Sequence, residues 1–179
     1  MQDYKKNKTN SPHAGHSSSF VIPESFSRGS IILFQGVLNA ESLKNFKLTS
    51  KYHAFVTEGR PSLEAGRVTS AILLKKGITP TVISDNMAGF LFFKGLVRQV
   101  NIACQYADNK GALCDTGALI LAVLAMKHKV PVKLLMAEHK SRFLGDPNSI
   151  LSFNGQRIAP KGTHGYVPLV EWVPAKYLR

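Results

Sequence analysis

Short apolar runs alternate with amphipathic stretches along most of the chain. Apolar runs bounded by glycine, proline or polar residues are typical of buried strands, and apolar positions that recur every three or four residues are typical of helices. Strands are predicted at 30–35 (SIILFQ), 53–57 (HAFVT), 79–84 (TPTVIS), 97–105, 130–136 and, shortest and last, 167–173.

Helices are predicted in the segments between these strands. Asn39 can cap the first helix, over 39–46 (NAESLKNF), and Pro61 suits the first turn of a second helix that runs to about residue 76. A short helix follows at 87–96. The last helix, 113–127 (LCDTGALILAVLAMK), is apolar on nearly every side, so it should lie buried between the sheet and a further layer, such as another subunit.

This alternation of strands and helices predicts the α/β class. Right-handed crossovers give a twisted, mostly parallel sheet with helices on both faces. Residues 1–19 are polar and poor in apolar side chains, so a flexible basic tail is expected there. Residues 20–179 have the length of a single domain with one core.

The net charge of +12 is large for a chain of 179 residues. The first nineteen residues hold three lysines and one aspartate, which is +2, so the remaining +10 belongs to the predicted domain. A solvated basic surface explains such an excess, and so does a phosphorylated small ligand, a nucleic acid or an acidic protein partner. Charge alone does not choose among them.

Several classes of protein can be set aside. The two cysteines, Cys104 and Cys114, have no metal-ligand spacing, so no metal is expected, and their scarcity favours a reducing, cytoplasmic setting. No apolar run reaches the roughly 18 residues of a membrane span, and no signal peptide is evident. The GxGxxG and GxxxxGK[ST] phosphate loops are absent, and no cofactor is predicted.

Two polar residues follow directly on predicted parallel strands, where ligands of such sheets bind. Arg60, after the second strand, offers a fork-shaped donor for an anion, or it pairs with Glu58 or Glu64 to fix the turn. Asp85, after the third strand, caps the next helix or contacts a sugar hydroxyl, and both roles are compatible. A second turn, 108–114, carries Lys110.

The stretch 59–89 (GRPSLEAGRVTSAILLKKGITPTVISDNMAG) resembles a known family. It is similar to the C-terminal Rossmann-like domain shared by methylthioribose-1-phosphate isomerase, ribose-1,5-bisphosphate isomerase and the regulatory alpha, beta and delta subunits of translation initiation factor 2B. Weaker similarity continues through 121–135 (LAVLAMKHKVPVKLL) and 168–178 (PLVEWVPAKYL). The positions that match the family motif in 59–89 are Arg60, Pro61, Leu63, Arg67, Thr69, Gly77, Ile78, Thr81, Ile83, Asp85, Met87 and Ala88.

The resemblance also implies where the chemistry of the isomerases would lie. In those enzymes a cysteine after the first strand and an aspartate at the end of the fourth carry the proton transfers, and these positions fall on Gly36 and Gln105. Neither residue can transfer a proton near neutral pH. A substrate-contacting glutamine of the family is Glu64 here. The family's Asn-Lys pair falls on Asp115 and Thr116 once a one-residue gap is allowed, or is substituted by Asn109 and Lys110. The N-terminal helical domain of the family has no counterpart in the sequence.

The leading hypothesis is a catalytically degenerate binding or regulatory subunit. It would recognise a phosphorylated sugar, a nucleotide or a protein partner, with Arg67 either facing the ligand or on the surface. The second hypothesis is an active aldose-ketose isomerase that uses Cys114, Asp115 or Glu64. A third, RNA binding, rests on charge alone, and the resemblance implies pairing as a homodimer or hetero-oligomer. The expected crevice is lined by Gly36, Arg60, Asp85, Gln105 and Lys110.

Overall fold

Five parallel strands form the centre of the sheet in the computed structural model, which describes residues 26–137 and 142–178. The predicted tail, 1–19, lies outside the described residues. Crossovers between neighbouring parallel strands and helices on both faces define an α/β Rossmann-like fold, as predicted. In spatial order the strands are β3 (Pro80–Ile83), β2 (His53–Thr57), β1 (Ile31–Gln35), β4 (Val97–Asp108) and β6 (Val132–Met136).

The far end of β4 forms an antiparallel extension of the sheet. It pairs with β5 (Gly111–Asp115), which pairs in turn with β9 (Val170–Pro174). The helix predicted from residue 113 does not begin there, because residues 111–115 form strand β5 and a tight turn joins it to β4. The Asp108 carboxylate explains the turn, because it accepts bonds from the backbone N–H groups of Lys110 and Gly111 at 2.8 and 3.1 Å and so closes a hairpin.

Three helices accompany the strands in the described part of the chain. They are α1 (Ser70–Lys75), which continues a π-helical turn over Ala65–Thr69, α2 (Ala88–Phe93) and α3 (Ala118–His128). The start of α3 is later than predicted because Gly117, at φ 102°, reverses the chain after β5. No helix of the described residues is long and apolar enough to span a bilayer.

The first crossover is not the helix predicted for 39–46. The Asn39 side chain does cap the segment, accepting a bond from the Ser42 N–H at 2.7 Å. However, the bonds that follow, such as Phe46 N–H to Leu43 C=O at 2.9 Å, span three residues, so the segment is a series of turns. Too few apolar side chains face the sheet to stabilise a regular helix of this length.

Side chains from successive residues of β1 fill both layers of the core. Ile31 and Leu33 point towards α2 and α3, and Ile32 and Phe34 point towards α1 and the first crossover. The last helix was predicted to lie between the sheet and a further layer such as another subunit, and the described residues supply the sheet side of this arrangement. Leu121 is buried against the sheet, but Ile120 is 67% exposed because α3 has no covering layer within the described residues.

Candidate functional site

A cleft of about 300 Å³ opens at the carboxyl ends of β1 and β2. Strand ends, the turn after β2 and the irregular segment before β9 each contribute one wall. Of the residues predicted for the site, Gly36, Arg60, Glu64 and Asp115 line this cleft. The other lining residues are Gln35, Val37, Gly59, Ser62, Ala65, Thr116, Arg142, Pro168 and Leu169.

The turn after β2 is held by Asp85. Its two carboxylate oxygens accept bonds from the backbone N–H groups of Gly59 and Arg60, at 2.9 and 2.8 Å. The side chain makes no capping bond to the helix that follows, so the predicted helix cap was wrong. Asp85 lies behind the turn, where it fixes the backbone that carries Arg60 into the cleft.

Arg60 is half-buried, and its guanidinium lies over the ring of Phe153, with 4.2 Å from Cζ to the ring centroid. Phe153 belongs to a small hairpin, β7 (Ser152–Phe153) and β8 (Gln156–Arg157). A planar cation stacked in this way keeps its in-plane N–H groups available for an anion. The stacking therefore orients Arg60 without occupying its donors.

Asp115 reaches the cleft because the β4–β5 hairpin places it beside the end of β1. Its Oδ2 atom accepts a bond from the Val37 N–H at 2.9 Å, and its Oδ1 atom accepts one from Gln105 Nε2 at 3.4 Å. From the other side, the Gln35 side-chain amide donates to the backbone C=O of both Asp115 and Thr116 at 3.2 Å. The carboxylate is therefore fixed by its neighbours while it borders the cleft.

Gly36 stands where this packing is tightest. Its backbone has φ +84°, and a Cβ atom at this position would lie 2.8 Å from the Ala103 Cβ atom and 2.9 Å from Asp115 Oδ2. Both distances are shorter than side-chain contacts in folded proteins. The end of β1 therefore has room for glycine alone in its present arrangement.

Besides Asp85 and the buried Cys114, three predicted residues do not line the cleft. Gln105 is half-buried and touches Asp115 from the side away from the opening. Arg67 is exposed on the π-helical turn, and Lys110 is exposed at the β4–β5 hairpin. Their distance from the cleft follows from two features that were not predicted, the delayed start of α1 and the hairpin itself.

The cysteines are poor candidates for chemistry. Cys104 and Cys114 face each other across β4 and β5, and both are fully buried as free thiols. Burial raises the pKa of the Cys104 thiol. Burial also raises the pKa of the Cys114 thiol, and the nearby Cys104, Asp115 and Glu171 act in the same direction. Neither thiol is therefore activated, and no cluster of His, Cys, Asp or Glu in the described residues could hold a metal ion.

Sequence reasoning missed several lining residues. Gln35 is the last residue of a strand, so the strand-end rule applied to Arg60 would have found it. Arg142 lies outside the regular strands and helices, and the local sequence gave no signal for its place in the cleft. It reaches the cleft because the chain folds back there, with Leu169 N–H bonded to Phe143 C=O at 3.0 Å and Thr116 N–H bonded to Leu169 C=O at 3.0 Å.

The fold and the cleft define an α/β Rossmann-like protein with a polar site at the carboxyl ends of its parallel strands. The model of the initiation factor 2 subunit family matches residues 36–179. The chain belongs to this family, which confirms the resemblance seen in the sequence.

Methylthioribose-1-phosphate isomerase of Thermus thermophilus is 32% identical to this chain over 145 residues. The matched residues cover 74% of this chain and 44% of the relative. The same enzyme of Syntrophus aciditrophicus is 35% identical over 138 residues, which cover 69% of this chain and 37% of that relative. The chain thus spans less than half the length of these relatives.

Two solved structures share the fold. Subunit delta of translation initiation factor eIF-2B from A. fulgidus superposes with a TM-score of 0.68 at 19% identity, over 84% of this chain and 51% of that one. The 5-methylthioribose 1-phosphate isomerase of Pyrococcus horikoshii superposes with a TM-score of 0.67 at 22% identity, over 84% of this chain and 49% of that one. At this identity the likeness concerns the fold.

Proposed function

We propose that the chain is a catalytically degenerate binding or regulatory domain that recognises a phosphorylated sugar or nucleotide in this cleft. The observation that carries the proposal is the crowded glycine at the end of β1. Residue 36, where the resemblance places a proton-transferring cysteine, lacks a side chain and also lacks the space for one. The other such position, Gln105, carries an amide that is bonded to Asp115.

The remaining side chains of the cleft suit a small phosphorylated ligand. Arg60 and Arg142 supply fork-shaped donors for phosphate oxygens, while the carboxylates of Glu64 and Asp115 can accept bonds from sugar hydroxyls. A cleft of about 300 Å³ lies at the small end of the range of ligand pockets. We therefore expect a monosaccharide phosphate or a mononucleotide rather than a dinucleotide.

Thermal stabilisation by methylthioribose 1-phosphate, ribose 5-phosphate and AMP tests this proposal. A ligand present at 100 times its Kd stabilises the folded state by about 2.7 kcal/mol, which shifts the melting temperature by several degrees. We expect the shift to be lost in Arg60→Ala and retained in Arg67→Ala, because Arg67 carries the same charge but lies outside the cleft. No shift with any of these ligands, or equal shifts in both variants, would contradict the proposal.

The alternative is an active aldose-ketose isomerase acting on a sugar 1-phosphate. One observation favours it, namely that the Asp115 carboxylate borders the cleft. An isomerase of this kind needs a group that removes a proton from one carbon and returns it to the next, and a fixed carboxylate can do both. Turnover of methylthioribose 1-phosphate that disappears in Asp115→Asn but persists in Cys114→Ala would establish this function and displace the first proposal.

We also propose that the chain pairs with another subunit through α3. Ile120 is 67% exposed and Val123 is 37% exposed on this helix, and large apolar side chains in neighbouring positions are typical of interfaces. Sedimentation velocity of the chain and of Ile120→Lys tests this, since a dimer should dissociate in the variant. If the chain stays a monomer at high protein concentration, it does not pair with itself, and the proposed partner is a different subunit.

A further inference from the structure

At the amino ends of the parallel strands, opposite the cleft, lies a basic surface that the proposed function does not use. The register of the parallel strands places their amino ends side by side, with Ile31 opposite both His53 and Val97. The loops that precede these strands therefore meet along one edge. The Lys, Arg and His residues of this amino-end edge are Arg28, Lys47, Lys51, His53, Lys76, Lys94, Arg98, Lys127, His128 and Lys129.

The loops of the amino-end edge hold no aspartate or glutamate. In sequence, 26–30, 47–53, 76–79, 94–98 and 127–131 carry positive and neutral residues alone. In the part of the chain that the structure describes, no ion pair joins Arg28, Arg98 or Lys129 to a carboxylate. Carboxylates lie instead near the carboxyl ends of the strands, at Glu58, Glu64, Asp85, Asp108, Asp115 and Glu171.

A groove of about 370 Å³ runs through the middle of this edge. Its floor contains Gly29 and Gly95, whose backbones are joined by a bond from Gly29 N–H to Gly95 C=O at 2.9 Å. The side chains of Arg28 and Arg98 lie over these glycines, with Arg28 Nε only 3.5 Å from the place of a Cβ on Gly95. His128 and Lys129, at the end of α3, form the opposite wall.

We propose that the amino-end edge binds the phosphate backbone of single-stranded RNA. Its charges are spread over several strands that lie about 4.8 Å apart, a span of roughly 15 to 20 Å, rather than gathered in one pocket as a small ligand would require. A sequence pI near 9.9, together with a cluster of basic residues that contains no acidic residue, is the electrostatic pattern of a nucleic-acid-binding domain.

Aromatic side chains beside the edge support a single strand over a duplex. Lys51 Nζ lies 5.0 Å from the centroid of the Tyr52 ring, and Phe93, beside Lys94, is 77% exposed. Unpaired bases stack on rings of this kind while the cations hold the phosphates. The site is separate from the cleft of the proposed function, so either proposal can fail without the other.

The test compares two variants with equal loss of charge. Arg28→Gln with Arg98→Gln and Lys129→Asn removes three charges from the groove, and Asn suits the left-handed backbone at residue 129, which has φ 56°. Lys110→Gln with Lys161→Gln and Lys176→Gln removes three charges from exposed positions elsewhere. Binding of a labelled 20-nucleotide RNA is measured by fluorescence anisotropy in 100 mM KCl.

We expect the groove variant to bind at least tenfold more weakly and the control variant to stay within about threefold of the wild type. The slope of log affinity against log salt should also fall by about 2 in the groove variant, since each lost phosphate contact contributes about 0.7. If the triple variant melts early, Arg98→Glu alone changes one exposed side chain and should still weaken binding several-fold. Equal weakening in the two triple variants would overturn the proposal, and so would binding to anionic vesicles without binding to RNA.

Discussion

At the carboxyl ends of the parallel strands, positive and negative side chains share one cleft, whereas the groove at the amino ends is lined by positive and neutral residues. The cleft is also the more tightly organised of the two. Asp85 and Asp115 are bonded to backbone N–H groups there, and Gly36 has neighbours at close contact. The side chains of Arg28, Arg98 and Lys129, by contrast, extend from the surface as exposed cations.

The two proposals together give the chain two modes of recognition. Fixed donors and acceptors of both signs can select one ligand by its shape, because each bond has a defined direction. Exposed cations of one sign attract any polyanion and are sensitive to salt. We therefore expect selectivity at the carboxyl-end cleft and a general affinity for phosphate chains at the amino-end edge.

The largest expected effect is the loss of stability when alanine replaces a glycine at the carboxyl ends of the strands, compared with a glycine at their amino ends. Gly36 and Gly77 have similar left-handed backbones, with φ +84° and +75°, but a Cβ on Gly77 would have no atom within 4 Å. Alanine at either position costs about 1–2 kcal/mol for the backbone. At residue 36 the added methyl group also crowds Ala103 and Asp115, which lowers the stability by about 1–3 kcal/mol more.

Urea unfolding followed by circular dichroism measures both costs. We expect Gly36→Ala to lower the free energy of unfolding by about 2–5 kcal/mol in total, and Gly77→Ala to lower it by about 1–2 kcal/mol. Equal losses would show that the end of β1 can relax around a side chain. The steric part of the argument for a degenerate site would then fail.

The second prediction separates the two sites by their response to salt. If about four phosphates contact the amino-end edge, raising KCl from 50 to 200 mM should weaken RNA binding about 50-fold, from a slope of about −2.8. A monosaccharide phosphate held in the cleft carries one phosphate, and screening should weaken its binding by less than about threefold. Titrations of both ligands at the two salt concentrations provide the measurement.

A similar salt dependence at both sites would contradict this division. It would indicate that the cleft attracts its ligand mainly by charge and that its hydrogen bonds contribute little. The RNA proposal itself would survive such a result only if the dependence on salt were steep for RNA.

The parallel core of the fold follows from the sequence because its strands are short apolar runs bounded by glycine or polar residues. Runs such as IILFQ and HAFVT have few alternatives to a buried strand. The β4–β5 hairpin was missed for a physical reason. Residues 113–119 (LCDTGAL), which run from β5 into α3, are apolar and polar at a spacing compatible with a helix. The strand is imposed by pairing with β4 across a short turn and with β9, which lies far away in sequence.

The same non-local pairing limited the prediction of the site. Arg60 could be placed because it follows its own strand directly, and Asp85 because it follows the next one. Asp115 was named only through the family resemblance, and Arg142 was not named at all. Both reach the cleft through contacts made across the sheet, with Val37 near Asp115 and with Leu169 near Phe143. Positions of this kind depend on tertiary structure, so local sequence cannot reveal them.

The smallest effect concerns two carboxylates that each accept two backbone N–H bonds. Asp85 binds Gly59 and Arg60 through two part-buried bonds. Asp108 binds Lys110 through an exposed bond and Gly111 through a part-buried bond. Removing an acceptor from partly buried N–H groups costs about 1–3 kcal/mol, while exposed groups recover bonds to water. We expect Asp85→Ala to lose about 1–2 kcal/mol of unfolding free energy and Asp108→Ala less than about 1 kcal/mol.

Ligand binding distinguishes these variants more sharply than stability does. Asp85 positions the backbone of Arg60, so Asp85→Ala should weaken the binding of phosphosugar in calorimetric titration, whereas Asp108→Ala should leave it unchanged. If Asp85→Ala unfolds more easily yet binds the ligand as tightly as the wild type, then the turn is not what presents Arg60. Recognition would in that case depend on the stacking of Arg60 on Phe153, which Phe153→Ala would remove.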